Sequence, residues 1–282
     1  MSQSPRPFRF GVSLLTVGSR SSWHARVREA ADLGYDVLQV TDHLGTAAPF
    51  PALVSAAEVT RMRLGTFVLN AGVVSPAYLA REVADVHRLT DGRLELGLGA
   101  GYVPAEFEAC GLPFGTGGER LRKLADTLAA TRSLLAAEAD APRPPILLGG
   151  AGDRMLRFAG READIFSFSI MAGVTPDMAP EEALARRVGI LREGAGDRFS
   201  DIELNLFVAA VAGSRAEADL AIIGRASGLP EEQLTQLPGV LVGSPRELAD
   251  RLERYRERFG LTYISVLEPH MAAFSEVIKL LR

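Results

Sequence analysis

The sequence predicts an α/β protein, a closed (β/α)8 TIM barrel, on three observations. Short apolar runs of strand length alternate with helical runs along the whole chain. About eight such β-α units can be counted with no break in composition between them, and eight is the number at which a parallel sheet closes. The length of 282 residues suits a barrel, whose usual size is about 250. An open doubly wound sheet fits less well, because nothing marks a switch between two halves. The reading is therefore one domain over residues 1–282.

Each unit has its own signals. Phe8–Leu14 reads as the first strand and Trp23–Gly34 as a helix closed by its glycine. Asp36–Val40 is the second strand and runs straight into Thr41-Asp42-His43; a short helix near Leu53–Thr60 leads to a third strand, Arg63–Leu69. A helix starts at Pro76, carries Val83, Val86 and Leu89 at helical spacing, and breaks at Thr90-Asp91-Gly92. Arg93–Gly99 then alternates polar and apolar residues and ends in the bare backbone of Gly99-Ala100-Gly101.

A long connection, Tyr102–Gly118, precedes a helix over Glu119–Ala137. Pro145–Leu148 is a strand ending in Gly149-Gly150-Ala151-Gly152, and a helix follows to Glu162. Asp164–Phe168, a helix over Glu181–Gly194, a strand over Ile202–Ala212 and a helix over Arg215–Arg225 come next. Ser244–Phe259 is a helix with proline one residue inside its serine cap; Leu261–Leu267 is the last strand and Pro269–Leu281 the last helix.

Bulk properties exclude several classes. The chain is 47% hydrophobic and 23% charged, as soluble globular proteins are. A formal net charge of −4 leaves no basic footprint for nucleic acid. Its apolar runs fall far short of the roughly 20 residues of a membrane span, and the amino terminus lacks a signal-peptide core, so a cytoplasmic location is expected. The single cysteine, Cys110, excludes an internal disulfide or a cysteine-built metal cage, and reads as a small apolar filler. No metal site is expected.

The glycine clusters need a spacing test. A dinucleotide fingerprint wants its third glycine three residues after the second; Gly97-Leu98-Gly99 puts Tyr102 there, Gly99 and Gly101 put Pro104, and Gly150 and Gly152 put Met155. The fingerprint is rejected. Gly149–Gly152 still opens a helix, and a helix amino terminus with bare backbone suits an anion, although a tight turn explains it equally. Gly-x-Ser-x-Gly and a Walker-type Gly-Lys-Ser/Thr are both missing.

His43 directly follows a strand, on the face where barrels build active sites, so it is favoured for proton transfer, with Asp42 able to orient it or to bond a ligand. His24, His87 and His270 fall on helices and read as packing or solvated residues. A carboxylate at Glu106 or Glu108 could bind substrate, but a solvated helix start is the favoured reading. The charged runs of ERLRKL and RLERYRER have the spacing of solvated helix faces.

These pieces resemble the bacterial luciferase-like flavin and deazaflavin oxidoreductases over the whole chain. The matching segments are VTDH (Val40–His43), the block from LGTFVLNAG to GAGYVPAEFEACGLPF (Leu64–Phe114), PPILLGGAGDRMLRFAGREADIFSF (Pro144–Phe168) and VGSPRELADRLERYRERFGLTYISVL (Val242–Leu267). The helix-strand-glycine piece is the specific one. Within the family the chain is most similar to compact members dependent on coenzyme F420, an 8-hydroxy-5-deazaflavin.

The resemblance implies a luciferase-like barrel with the cofactor ring in its mouth. It implies a non-proline cis peptide at Phe67-Val68 against the ring, with Asn70 beside it. Phosphate falls to the backbone of Gly149, Gly150 and Ala151, and ring or ribityl contacts to Gly99, Ala100, Gly101 and Phe168. Asp42 and His43 would lie at the ring's polar edge or face the substrate, and His43 and Tyr102 are the catalytic candidates. The mouth would be lined by Trp23, Phe50, Phe114, Phe168 and Met171, with Ala172–Pro180 as a lid.

The family's sugar-phosphate dehydrogenases carry an acidic residue where this chain has Tyr102, which argues against sugar-phosphate oxidation. The expected activity is hydride transfer between deazaflavin and a small organic molecule, reducing a C=C or C=N bond, as in natural-product metabolism. An FMN-dependent monooxygenase is the alternative, and a barrel that binds cofactor or ligand without turnover a further one. A homodimer, and a separate flavin or F420 reductase as electron source, complete the expectation; nucleic acid and membrane are not expected partners.

Overall fold

The computed structural model describes residues 6–137, 143–169, 178–227 and 229–282. Its strands are β1 (Arg9–Leu14), β2 (Val37–Val40), β3 (Arg63–Thr66), β4 (Leu69–Asn70), β5 (Leu94–Gly99), β6 (Ile146–Gly150), β7 (Ile165–Phe168), β8 (Glu203–Val208), β9 (Ala210–Ala212), β10 (Val240–Val242) and β11 (Leu261–Leu267). Its helices are α1 (Arg20–Asp32), α2 (Pro49–Ala57), α3 (Pro76–Leu89), α4 (Pro104–Ala109), α5 (Gly117–Ala136), α6 (Asp153–Glu162), α7 (Pro180–Ala195), α8 (Ala221–Ser227), α9 (Glu231–Leu234), α10 (Pro245–Phe259) and α11 (Met271–Leu281).

Hydrogen-bonded neighbours follow the order β3, β2, β1, β11, β8, β7, β6, β5, and β3 pairs with β5 in addition. The sheet therefore closes as the predicted (β/α)8 barrel. Strand β4 attaches to β5, while β9 and β10 form a small parallel pair of their own.

Several predicted elements shift for local reasons. The third strand is not continuous: Leu64 pairs with Leu94, but Leu69 pairs with Leu98, so one extra residue is inserted around Phe67 and Val68. The bond between those two residues is cis, as the resemblance implied. The strand predicted over Ile202–Ala212 divides at Ala209, and the helix predicted over Arg215–Arg225 is only a 3-10 turn, Arg215–Glu217, followed by α8. The connection after β5 holds the short helix α4, started by Pro104. Caps behave as sequence chemistry requires. Thr116 with Glu119, and Ser244 with Glu247, form capping boxes, and Gly260 closes α10 at φ 78°.

Two compact units make up the chain: Met1–Val12, Asp32–Asp36 and Gly150–Arg282 form one, and Ser13–Ala31 and Val37–Gly149 the other. In the first, a buried polar ladder crosses three strands. Ser167 Oγ donates to Asn205 Oδ1 at 2.7 Å, and Asn205 Nδ2 donates to Ser265 Oγ at 2.8 Å. A satellite core of Ala210, Leu220, Ile223, Leu229, Leu234, Leu237 and Val240 closes around β9 and β10.

In the second unit, Arg93 donates to the carbonyls of Thr60 and Met62 at 2.8 and 3.1 Å, and to its own turn at Thr90. That holds the entry to β5 against the loop before β3. Trp23, expected at the mouth, is fully buried and donates its indole N–H to the Ala52 carbonyl at 3.2 Å. An indole in that position is core, stabilising by roughly 1.5–3 kcal/mol through burial. Among the described residues, no helix is long and apolar enough to cross a membrane.

Candidate functional site

The site grows out of the irregular edge between β3–β4 and β5. Thr66 turns its hydroxyl onto the neighbouring strand: its Oγ1 donates to the Gly97 carbonyl at 2.9 Å and accepts from the Gly97 N–H at 2.8 Å. Position 97 must be glycine, because a Cβ there would overlap the Thr66 carbonyl. A Cβ on Gly99 would meet Val68 at 2.8 Å, and one on Gly101 would run into the Asn70 amide. Gly101 also sits at φ 74°, where a side chain is disfavoured. The bare backbone that reads as an invitation to a ligand is thus occupied by the chain's own Thr66, Val68 and Asn70.

Asn70 is held in turn. Its N–H donates to Asp42 Oδ2 at 3.0 Å, and its Oδ1 accepts from the Gly72 N–H at 3.0 Å. Its Nδ2 is buried without a partner, a donor left over beside Gly101. Asp42 thus holds the end of β4 through one carboxylate oxygen. The group that orients His43 is Glu106, which sequence reasoning set aside as a solvated helix start.

Glu106 lies in the first turn of α4, and its side chain is only 13% exposed. Its Oε1 accepts from the Leu44 N–H at 3.3 Å and bonds His43 Nδ1 at 2.8 Å. A carboxylate has no proton to give, so Nδ1 is the donor. The other ring nitrogen, Nε2, lies 3.1 Å from the Tyr102 hydroxyl, with the two rings edge to face at 5.5 Å. Desolvation, and the Glu106 charge after it, hold the phenol above its ordinary range, so it stays protonated. Tyr102 itself is 72% exposed. Glu106, His43 and Tyr102 form a hydrogen-bonded chain from a shielded carboxylate to an exposed tyrosine.

The loop that carries two of these residues is built to stay in place. Phe107 packs so tightly over Gly72 that a Cβ there would meet its ring at 2.6 Å. Phe114 sets its ring edge to face against Phe107 at 5.2 Å, under the Arg120 guanidinium at 3.8 Å. Arg120 Nε donates to the Gly101 carbonyl at 3.1 Å and Nη1 to the Gly115 carbonyl at 2.9 Å. The Glu106 contact went unseen in the sequence because its histidine lies 63 residues away along the chain. The one cue was the spacing of Glu106, four residues after Tyr102 on a turn started by Pro104.

The turn after β6 belongs to the other constellation. Gly152 caps α6 with no side-chain hydrogen bond, and a Cβ on it would meet nothing within 4 Å. Gly150 is covered only by the flexible Met155 side chain. Arg187, 3% exposed, donates through Nη2 to the Gly150 carbonyl at 3.0 Å and through Nη1 to the Ser169 carbonyl at 3.3 Å. It thereby ties the ends of β6 and β7, lying 5.4 Å from the buried Phe168 ring. Burial lowers its pKa to about 10, and its Nε has no partner. Met171, expected at the mouth, and the expected lid up to position 177 lie outside the described residues. Phe50 is half-buried on α2. Among the described residues, no cluster of histidine, cysteine or carboxylate side chains could hold a metal.

Fold and site together define a (β/α)8 barrel with a hydrogen-bonded chain of Glu106, His43 and Tyr102 beyond its strands. The model of the luciferase-like monooxygenase family matches residues 7–227, and the chain belongs to that family. One similar relative is the 5,10-methylenetetrahydromethanopterin reductase of Archaeoglobus fulgidus, 26% identical over 171 residues, which are 55% of this chain and 51% of the relative. The chain spans about half the length of the curated relatives it matches. Among solved structures, the coenzyme F420 dependent tetrahydromethanopterin reductase of Methanopyrus kandleri superposes with a TM-score of 0.74 at 17% identity, covering 98% of this chain and all (100%) of that one. A long-chain alkane monooxygenase superposes with a TM-score of 0.79 at 14% identity, covering 99% of this chain and 92% of that one. Likeness at these identities is likeness of fold.

Proposed function

We propose that the protein is a coenzyme F420-dependent oxidoreductase that moves a hydride between the deazaflavin and a small organic substrate, reducing a C=C or C=N bond. The Glu106–His43–Tyr102 chain carries this reading, since it is the proton path that such a reduction needs beside a hydride source. When bound, the deazaflavin supplies the hydride as a two-electron reductant.

The residues present fit such a cofactor. Asn70 Nδ2 is an unspent buried donor for a ring or ribityl oxygen beside Gly99, Ala100 and Gly101. Gly149, Gly150 and Ala151 lead into the uncapped amino terminus of α6, whose free N–H groups suit a phosphate. Asp42 would fix the Asn70 end of the ring site through the backbone, with Phe67 and Val68 beside it. Leu44 and Tyr102, both more than half exposed around His43, would offer an apolar rim to the substrate.

An FMN-dependent monooxygenase is the second reading, favoured by the fold shared with the alkane monooxygenase and by a phosphate turn that reads no ring atoms. Fluorescence titration of the purified protein with F420 and with FMN separates the two. Tight F420 binding with oxygen-independent turnover is expected; FMN binding with oxygen-dependent product would replace the proposal. A homodimer supplied by a separate reductase is part of the same reading, and light scattering tests the assembly.

A further inference from the structure

We propose that Glu106 is a positioning residue that holds His43 with its proton on Nδ1, and that Tyr102, rather than His43, is the catalytic group that hands the proton to substrate. This rests on the reductase reading above but is read from different atoms. The sequence favours His43 as the donor. In the structure its only free ring nitrogen is already engaged by the Tyr102 hydroxyl at 3.1 Å. The opposite nitrogen is held at 2.8 Å by a carboxylate that the Leu44 N–H also steadies. Both nitrogens are spent, while Tyr102 beyond them is 72% exposed as a residue.

The geometry serves both charge states of the imidazole. When His43 is neutral, Nδ1–H donates to Glu106 and Nε2 accepts from the Tyr102 hydroxyl. When it is protonated, both nitrogens donate, and the negative Glu106 lies against the positive ring. In the reductive direction a bound deazaflavin would supply the hydride. The substrate atom left with an electron pair then takes the Tyr102 proton: the phenol O–H bond breaks and a C–H or N–H bond forms. The phenolate oxygen recovers a proton from Nε2 of the imidazolium. His43 is left neutral, still donating through Nδ1, and its side chain, 35% exposed, is recharged from water.

Nitrogen-15 NMR of the histidine rings in the cofactor-free protein tests the positioning directly, at a pH where the ring is neutral. His43 is expected as the Nδ1–H form, with its Nε2 resonance moving in Tyr102→Phe and with the proton redistributing to Nε2 in Glu106→Ala. A wild-type ring protonated on Nε2, or a spectrum indifferent to both substitutions, overturns the positioning. Should Glu106→Ala fail to fold, Tyr102→Phe, an exposed change, still decides the Nε2 contact.

With reduced F420 and 2-cyclohexen-1-one as a probe acceptor, Tyr102→Phe is expected to lower kcat by roughly 10²–10⁴-fold with KM changed only a few-fold. Glu106→Asp should recover part of what Glu106→Ala loses. Wild-type-like kcat in Tyr102→Phe overturns delivery through the phenol. A wild-type protein inert with both F420 and FMN overturns the reductase reading instead, and leaves the NMR result to judge the positioning alone.

Discussion

The two glycine clusters look alike in sequence and do different work. In Gly97–Gly101 the missing side chains are replaced by atoms of the adjoining strand: the Thr66 carbonyl, the Val68 methyls and the Asn70 amide. In Gly149–Gly152 the last glycine faces open space, and the helix it opens has no side-chain cap. The first cluster lets two strands approach across a one-residue bulge. The second starts a helix whose first N–H groups have no side-chain cap. A glycine says that no Cβ is tolerated or wanted; only the neighbour says which.

Substitution can separate those meanings. The largest effect is expected from Gly97→Ala. The overlap is with backbone that cannot swing aside, so a loss of about 3 kcal/mol or more is expected, read as a lowered urea midpoint or failure to accumulate. Gly101→Ala should cost about 1–3 kcal/mol, because Asn70 and the left-handed backbone both oppose it. Adding Asn70→Ala should return the steric share and leave the backbone share; no recovery at all would mean that the amide is not the obstacle.

Gly152→Ala should leave the melting temperature nearly unchanged, within about 0.5 kcal/mol. If phosphate docks there, the added methyl should weaken FMN by about tenfold, ~1.4 kcal/mol, and leave riboflavin alone. Equal weakening of both would move the phosphate elsewhere.

The smallest effect concerns His87, near the end of α3. Burial, and then the Arg63 charge, lower its pKa, so the fold prefers the neutral ring. The unfolded chain binds that proton more readily. Its contribution is therefore complete above the ordinary histidine value near 6.5 and is lost as pH falls through the lowered one. Replacing His87 with leucine should flatten the decline in melting temperature below pH 6.5; an unchanged slope would exonerate this histidine.

The parts legible in the sequence were those governed by neighbours along the chain. Pro76 starting α3, Gly92 past its end at φ 74°, the Ser244 cap and the alternation into β5 all act over a few residues. The single strand read over Arg63–Leu69 missed its bulge, because the reason lies on β5, where Gly97 takes Thr66. His43 was legible from its place after β2. Glu106 was not, since 63 residues separate it from its histidine. Asp42, adjacent to His43, looked like its partner or a ligand group, and its Oδ2 instead accepts from the Asn70 N–H. Trp23 looked like a mouth residue because large aromatics suit ligands equally well as cores.

The ladder of Ser167, Asn205 and Ser265 has a consequence for how the last strands find their places. A strand repeats every two residues, so a slip of one position turns each side chain to the opposite face. Strands such as ISVL and LNLFV are apolar enough to slide at little cost. Sliding by one would strand an amide and two hydroxyls in an apolar interior, at roughly 1–3 kcal/mol for each group left unpaired. Three polar residues thus act as a key that admits one alignment of β7, β8 and β11.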